Sequence, residues 1–114
     1  MPRDFYVYLD DILKSISNIE EYIDDYSFEQ FVEDKKTVDA VLRNLEIIGE
    51  AVKKVPENVK SLWNNIEWRK ISGLRDILIH AYFEVDFEIV WDIIQSKLPG
   101  LKSKIKEIIN TDGD

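Results

Sequence analysis

Apolar residues enter this chain in helical steps. Phe5, Leu9, Ile12, Ile16, Ile19 and Ile23 are separated by 4, 3, 4, 3 and 4 positions, which lines one face of an α-helix of about six turns. Pro2 stands at its start, where a missing N–H costs nothing. Ser27, with Gln30 three residues on, has the form of a capping box and predicts a second helical stretch. Val38, Val41, Leu45, Ile48, Val52 and Val55 then advance by 3, 4, 3, 4 and 3, predicting another long helix that ends before Pro56. Gly49 lies on or beside that stripe and the pattern continues through it, so it predicts a close helix–helix approach rather than a break.

The second half is more broken. One or two turns fit between Pro56 and Asn65. A helix over about Glu67–Ile79 would place Ile71, Leu74 and Leu78 inward. Asp86 is a candidate N-cap for a helix from Phe87 to about Ser96, with Phe87, Val90 and Ile94 inward. Pro99 interrupts the pattern, and Leu101, Ile105 and Ile108 resume it. No segment shows strand alternation. These patterns predict an all-α, up-down helical bundle of four to five main helices, one domain over residues 1–110 with a polar tail at 111–114.

Composition narrows the chemistry. The 114 residues are 45% hydrophobic and 11% aromatic, enough for a packed core in a single domain. There is no cysteine and one histidine, which removes thiolate chemistry and argues against a zinc site made of protein ligands. No metal or other cofactor is expected. No apolar run approaches the roughly 18 residues of a membrane span, and the N-terminus lacks a signal-peptide core, so the expected location is the cytoplasm and no membrane partner is expected.

Net charge is −8, and residues 1–34 carry all of it: ten carboxylates against Arg3 and Lys14, while the remaining residues hold 13 acidic and 13 basic groups. An acidic third repels polyanions. Any RNA contact must therefore be local, or lie in a cleft assembled from two chains. The acidic run itself reads as a solvated helix face or as a docking surface for a basic partner.

The single histidine lies in Arg75-Asp76-Ile77-Leu78-Ile79-His80-Ala81-Tyr82. Arginine keeps its charge and forks onto phosphate oxygens. Histidine moves protons near neutral pH. The set suits binding or attack at a phosphodiester; it also suits a core histidine paired to Asp76 beside a structural ion pair. Asp76 and His80 are four apart and meet on one helical face, so Asp76 can orient the imidazole and favour its charged form. Arg75 and His80 point about 140° apart on a straight helix. They converge only if the helix ends near His80 or a second copy supplies one of them. Cleavage through a ribose 2′-OH wants a base, an acid and a cation for the crowded phosphorane. One histidine per chain thus ties catalysis to a homodimer with His80 near its twofold axis.

Arg75-x4-His80-x-Tyr82 has the Arg-x4-His-x-Tyr form of HEPN-domain proteins of the HepT-like toxin group, which this chain resembles along essentially its whole length. The flanking Trp68-Arg69-Lys70-Ile71-Ser72-Gly73-Leu74 and Ala81-Tyr82-Phe83, and the upstream Leu42-Arg43-Asn44-Leu45-Glu46-Ile47-Ile48-Gly49-Glu50-Ala51, are similar to that group as well. The resemblance implies a HEPN-like homodimeric bundle acting as a metal-independent endoribonuclease toxin on RNA. It implies Arg75 and His80 as the catalytic pair, Asp76 as support for His80, and a minimal nucleotidyltransferase antitoxin that adds AMP to Tyr82. Asp76 stands where related motifs often carry Asn; a carboxylate there holds His80 protonated more strongly and repels phosphate.

Other features invite plainer readings. Trp63, Trp68 and Trp91 could stack on bases, but core or interface packing is the usual role. The pairs Lys35-Lys36 and Lys53-Lys54 and the group Lys102/Lys104/Lys106 read as solvated faces, while Arg69-Lys70 stands one to two turns before Arg75. Arg43 and Glu46 are expected to pair within or between helices, and their block is a candidate lining for a dimer seam. Tyr6, Tyr8, Tyr22 and Tyr26 read as packing. The competing functional class is a non-catalytic helical dimerisation or nucleotide-binding module, which the acidic balance favours.

Overall fold

The computed structural model describes residues 4–74 and 86–112, and the described residues are helical without a strand. Helix α1 spans Asp4–Tyr22 and α3 spans Lys35–Lys54, with α2 (Phe28–Glu33) between them. Then come α4 (Glu57–Leu62), α5 (Trp68–Ser72), α6 (Phe87–Asp92), a π-helical turn (Ile93–Lys97) and α7 (Leu98–Asp112).

The two long apolar stripes make the core. Leu9, Ile12, Ile16 and Ile19 of α1 are fully buried, as are Val41, Leu45, Ile48 and Val52 of α3. The most extensive helix–helix packing joins α1 to α3, and α7 lies against α1 through its Leu101, Ile105 and Ile108 stripe. Burying each such side chain contributes about 1.5–3 kcal/mol of transfer free energy, so this seam dominates the stability of the fold. Gly49 is buried within α3. Asn44, also buried there, donates to the Ala40 carbonyl at 2.8 Å and accepts from Asn18 of α1 at 3.2 Å, so a polar group inside the seam is satisfied.

The corner between α1 and α3 is built from caps. Asp25 has φ 63°, a left-handed conformation that Asp tolerates better than most residues, and it turns the chain out of α1. Ser27 and Gln30 form the expected capping box, Ser27 Oγ accepting from the Gln30 amide at 3.1 Å and Gln30 Oε1 from the Ser27 amide at 2.8 Å. Asp34 ends α2 and caps α3: its carboxylate accepts from the Thr37 amide at 3.2 Å and hydroxyl at 2.8 Å, and from the Tyr26 hydroxyl at 2.6 Å. These donors, Tyr26 first, hold the Asp34 carboxyl below its ordinary pKa.

Several expectations need correction. A continuous helix from Glu67 does not form, because α5 stops at Ser72 and Gly73 sits in a turn. Its amide reaches both the Arg69 and the Ile71 carbonyls, and glycine is a poor helix former that favours such an ending. Leu78, Ile79 and the rest of that expected helix lie outside the described residues, as does Pro2. Pro99 does not interrupt the last helices: residues 87–112 stay helical throughout. A proline cannot donate to the carbonyl four residues back and its ring crowds that carbonyl. The chain accommodates this by widening into the π-turn just before it, where the Leu98 amide reaches the Ile93 carbonyl. Asp86 caps α6 as expected, accepting from the Glu88 and Ile89 amides at 3.1 and 3.2 Å.

Tyr22 is not packed but 39% exposed at the end of α1; Tyr6, Tyr8 and Tyr26 do pack against the core. Lys102 and Lys104 are not simply solvated. Lys102 donates to Glu20 of α1 at 2.6 Å and Lys104 to the Asn65 carbonyl at 2.8 Å, tying α7 to α1 and to the α4–α5 connector. Lys35, Lys36 and Lys53 are exposed, and Lys54 lies 5.9 Å from the Tyr8 ring centre. Arg43 pairs with Glu46 at 3.6 Å within α3, largely in solvent.

Candidate active site

Arg75, Asp76, His80 and Tyr82 all lie outside the described residues. What the fold fixes is how the chain reaches and leaves that segment. On the entry side, the connector Trp63–Glu67 is locked by an indole: Trp68 Nε1 donates to the Trp63 carbonyl at 3.0 Å. The same carbonyl accepts from the Ile66 amide at 3.2 Å. Trp68 and Ile66 are buried, and α5 packs on α3. Leu74, the residue directly before Arg75, is buried in the core. On the exit side, Asp86 caps α6, Val90 is buried and Phe87 meets Phe31 edge-on with ring centres 6.4 Å apart. Both ends of the motif-bearing segment are therefore anchored to the core.

The tryptophans are packing residues. Trp68 is 7% exposed. Trp63 packs partly buried against the core, and Trp91 lies 5.2 Å from Phe31 and 6.1 Å from Phe28, ring centre to ring centre. Their ring surface is spent wholly (Trp68) or partly (Trp63, Trp91) on the core.

Beside the entry helix lies an open groove of about 750 Å³ between α4 and α5. Lys60, Arg69 and Lys70 line it against Glu57 and Glu67. Lys60 stands 3.6 Å from Glu57 with its side chain 16% exposed, so its stem is covered and its head reaches the rim. Lys70 pairs with Glu67 at 3.3 Å, both in solvent. Arg69 is exposed and has no ion-pair partner among the described residues. The Ser72 hydroxyl donates to the Arg69 carbonyl at 2.8 Å, fastening the last turn of α5. The sequence singled out Arg69 and Lys70 by their distance from Arg75, but Lys60 carried no signal. Only the turn from α4 into α5 through the Trp63–Glu67 connector brings it to the same groove.

The acidic N-terminal third is mainly surface. Asp10 pairs with Lys14 at 2.9 Å, and Glu21, Asp24, Asp25, Glu29 and Glu33 are exposed. No helix among the described residues is long and apolar enough to cross a membrane. Among the same residues, no group of three or more His, Cys, Asp or Glu side chains is placed to hold a metal ion.

Comparison with known proteins now adds to this geometry. The profile of the family described as Ribonuclease HepT-like matches residues 12–108, a span that contains the whole segment from Arg75 to Tyr82. A protein of Methanocaldococcus jannaschii named "Putative RNase MJ0127" is 44% identical over 110 residues, covering 96% of this chain and 91% of its own. A "Probable ribonuclease HepT" of Thermococcus cleftensis is 45% identical over 108 residues, covering 95% of this chain and 98% of its own. A "Putative RNase TTE0752" of Caldanaerobacter subterraneus is 41% identical over 102 residues, covering 90% and 91%. No solved structure matches. An all-helical fold, a profile match through the motif and relatives matched over nearly their whole length agree, and the chain belongs to the HepT-like ribonuclease family.

Proposed function

We propose that this protein is an endoribonuclease toxin working as a homodimer in the cytoplasm, inactivated by a minimal nucleotidyltransferase antitoxin. The observation that carries the reading is the family match running through Arg75-x4-His80-x-Tyr82, with relatives named as ribonucleases along nearly their full length. Arg75 stabilises the phosphate as negative charge builds on it. His80 carries protons to and from the 2′-hydroxyl and the leaving oxygen. Asp76 orients His80 and favours its charged form. From that form one imidazole of the pair gives its proton to the leaving oxygen, while the other, neutral, takes one from the 2′-hydroxyl. A single histidine per chain cannot serve as base and acid at once, so a twofold-related second His80 completes the pair. This acid–base scheme needs no metal ion.

Tyr82, two residues beyond His80, is the acceptor for AMP. A nucleotide on its phenol adds bulk and negative charge beside the place where substrate phosphate must sit, which switches the nuclease off. Expression of the wild-type chain in a bacterial host tests the reading. Growth should arrest, and His80→Ala and Arg75→Ala should each relieve the arrest while remaining folded. Undiminished toxicity in either variant would remove that residue from the mechanism.

A further inference from the structure

We propose that the groove between α4 and α5 is a subsite for single-stranded RNA, binding the strand to one side of the scissile linkage; this rests on the ribonuclease reading above. Several observations meet there. The chain's negative charge is concentrated in its first third, whereas this groove gathers Lys60, Arg69 and Lys70 against two carboxylates. It is thus a locally attractive place on a protein whose first third repels a polyanion. Arg69 is exposed and without an ion-pair partner among the described residues, so its guanidinium fork is available to phosphate oxygens.

The Lys70–Glu67 pair is exposed on both sides, and such a pair is weak enough for a phosphate to replace the carboxylate. The groove's volume of about 750 Å³ is ample for part of a polymer, and it is open to solvent rather than enclosed. An open trough suits a strand that continues beyond it better than a small molecule that must be surrounded. Its position in the chain is also apt. Arg69 and Lys70 sit on α5, which is pinned by Trp68 and leads through buried Leu74 directly into Arg75. A strand held on α5 is held by the element that delivers the motif.

The test is fluorescence anisotropy of fluorescein-labelled polyuridylate over a salt titration, with the full-length His80→Ala protein so that the probe is not consumed. Arg69→Ala in that background should weaken binding about tenfold, the loss of one charge-assisted contact. It should also flatten the slope of log K against log salt by about 0.7, the share of one single-strand phosphate. Lys36→Ala, an exposed cation on α3 away from the groove, should change neither. Circular dichroism checks that both variants stay helical.

Unchanged affinity and slope in Arg69→Ala, an equal loss in Lys36→Ala, or no binding of the probe at all would each overturn the proposal. Cleavage is scored separately with His80 intact. A protein that cuts RNA but binds it independently of Arg69 keeps its activity and loses the groove. One that binds through Arg69 without cutting keeps the groove and loses the activity.

Discussion

The Trp68 indole donates to the Trp63 carbonyl at 3.0 Å, closing the connector that turns α4 into α5. That indole sits seven residues before the arginine of the motif, so a packing residue sets the approach of the motif-bearing segment. Trp68→Phe keeps most of the buried ring and removes the donor. Because the Trp63 carbonyl retains the Ile66 amide, it is not orphaned, and the cost should be that of one net hydrogen bond, about 1 kcal/mol. Chemical denaturation should read a loss of that size. A larger drop in RNA cleavage than in stability would show that the connector also positions the segment it feeds.

The caps at the α2–α3 corner predict a pH response. Hydrogen bonds from Tyr26 and Thr37 hold the Asp34 carboxyl below the ordinary carboxylate range. A lowered folded-state pKa stabilises the fold above the unfolded value, and that contribution is lost as pH falls through the folded one. Asp34→Asn should therefore be less stable than wild type at neutral pH, with the gap in melting temperature closing below about pH 4. A gap that persists unchanged into acid would mean the carboxylate's charge is not what holds the corner.

The α1–α3 seam should respond as a close-packed core. Leu45 is fully buried between the two stripes, and Leu45→Ala removes its transfer free energy and leaves a cavity, costing about 2–5 kcal/mol. Arg43→Ala, an exposed residue on the same helix, should cost well under about 1 kcal/mol. Urea midpoints for the two variants check the contrast.

Incubation with a cognate nucleotidyltransferase and ATP should add mass in units of AMP, and peptide mapping should place it on Tyr82. Tyr22, which is 39% exposed at the end of α1, is the informative control. Modification there, or a Tyr82→Phe protein that is still fully modified, would count against Tyr82 as the switch.

Much of the fold was readable from the sequence. The 3–4 spacing of Phe5 through Ile23 and of Val38 through Val55 identified the two helices that form the main seam, since one-sided burial imposes that period. The Ser27–Gln30 box and the Asp86 cap were legible because capping is local chemistry. Gly73 and Pro99 were not. Each is a breaker whose effect depends on neighbours: Gly73 ends α5, whereas Pro99 is absorbed by a π-turn and the helix runs on. The site divides the same way. Motif spacing pointed to Arg75, His80 and Tyr82, because a short run of rare side chains is visible in one dimension. Lys60 joins Arg69 only because the Trp63–Glu67 connector brings α4 and α5 to one groove, and Lys102 meets Glu20 across 82 residues of chain, relations that no local pattern carries.

Light scattering on the purified protein should report two chains per particle, since a single imidazole per chain leaves a monomer without a second proton carrier. A strict monomer that cleaves RNA would require a different acid or base.

The central claim is tested most directly by incubating a defined RNA with purified wild-type protein, His80→Ala and Arg75→Ala, each with chelator present. Wild type should cut the RNA despite the chelator and both variants should leave it intact while remaining folded. Intact RNA with wild type, or cleavage by His80→Ala at the wild-type rate, would contradict the account.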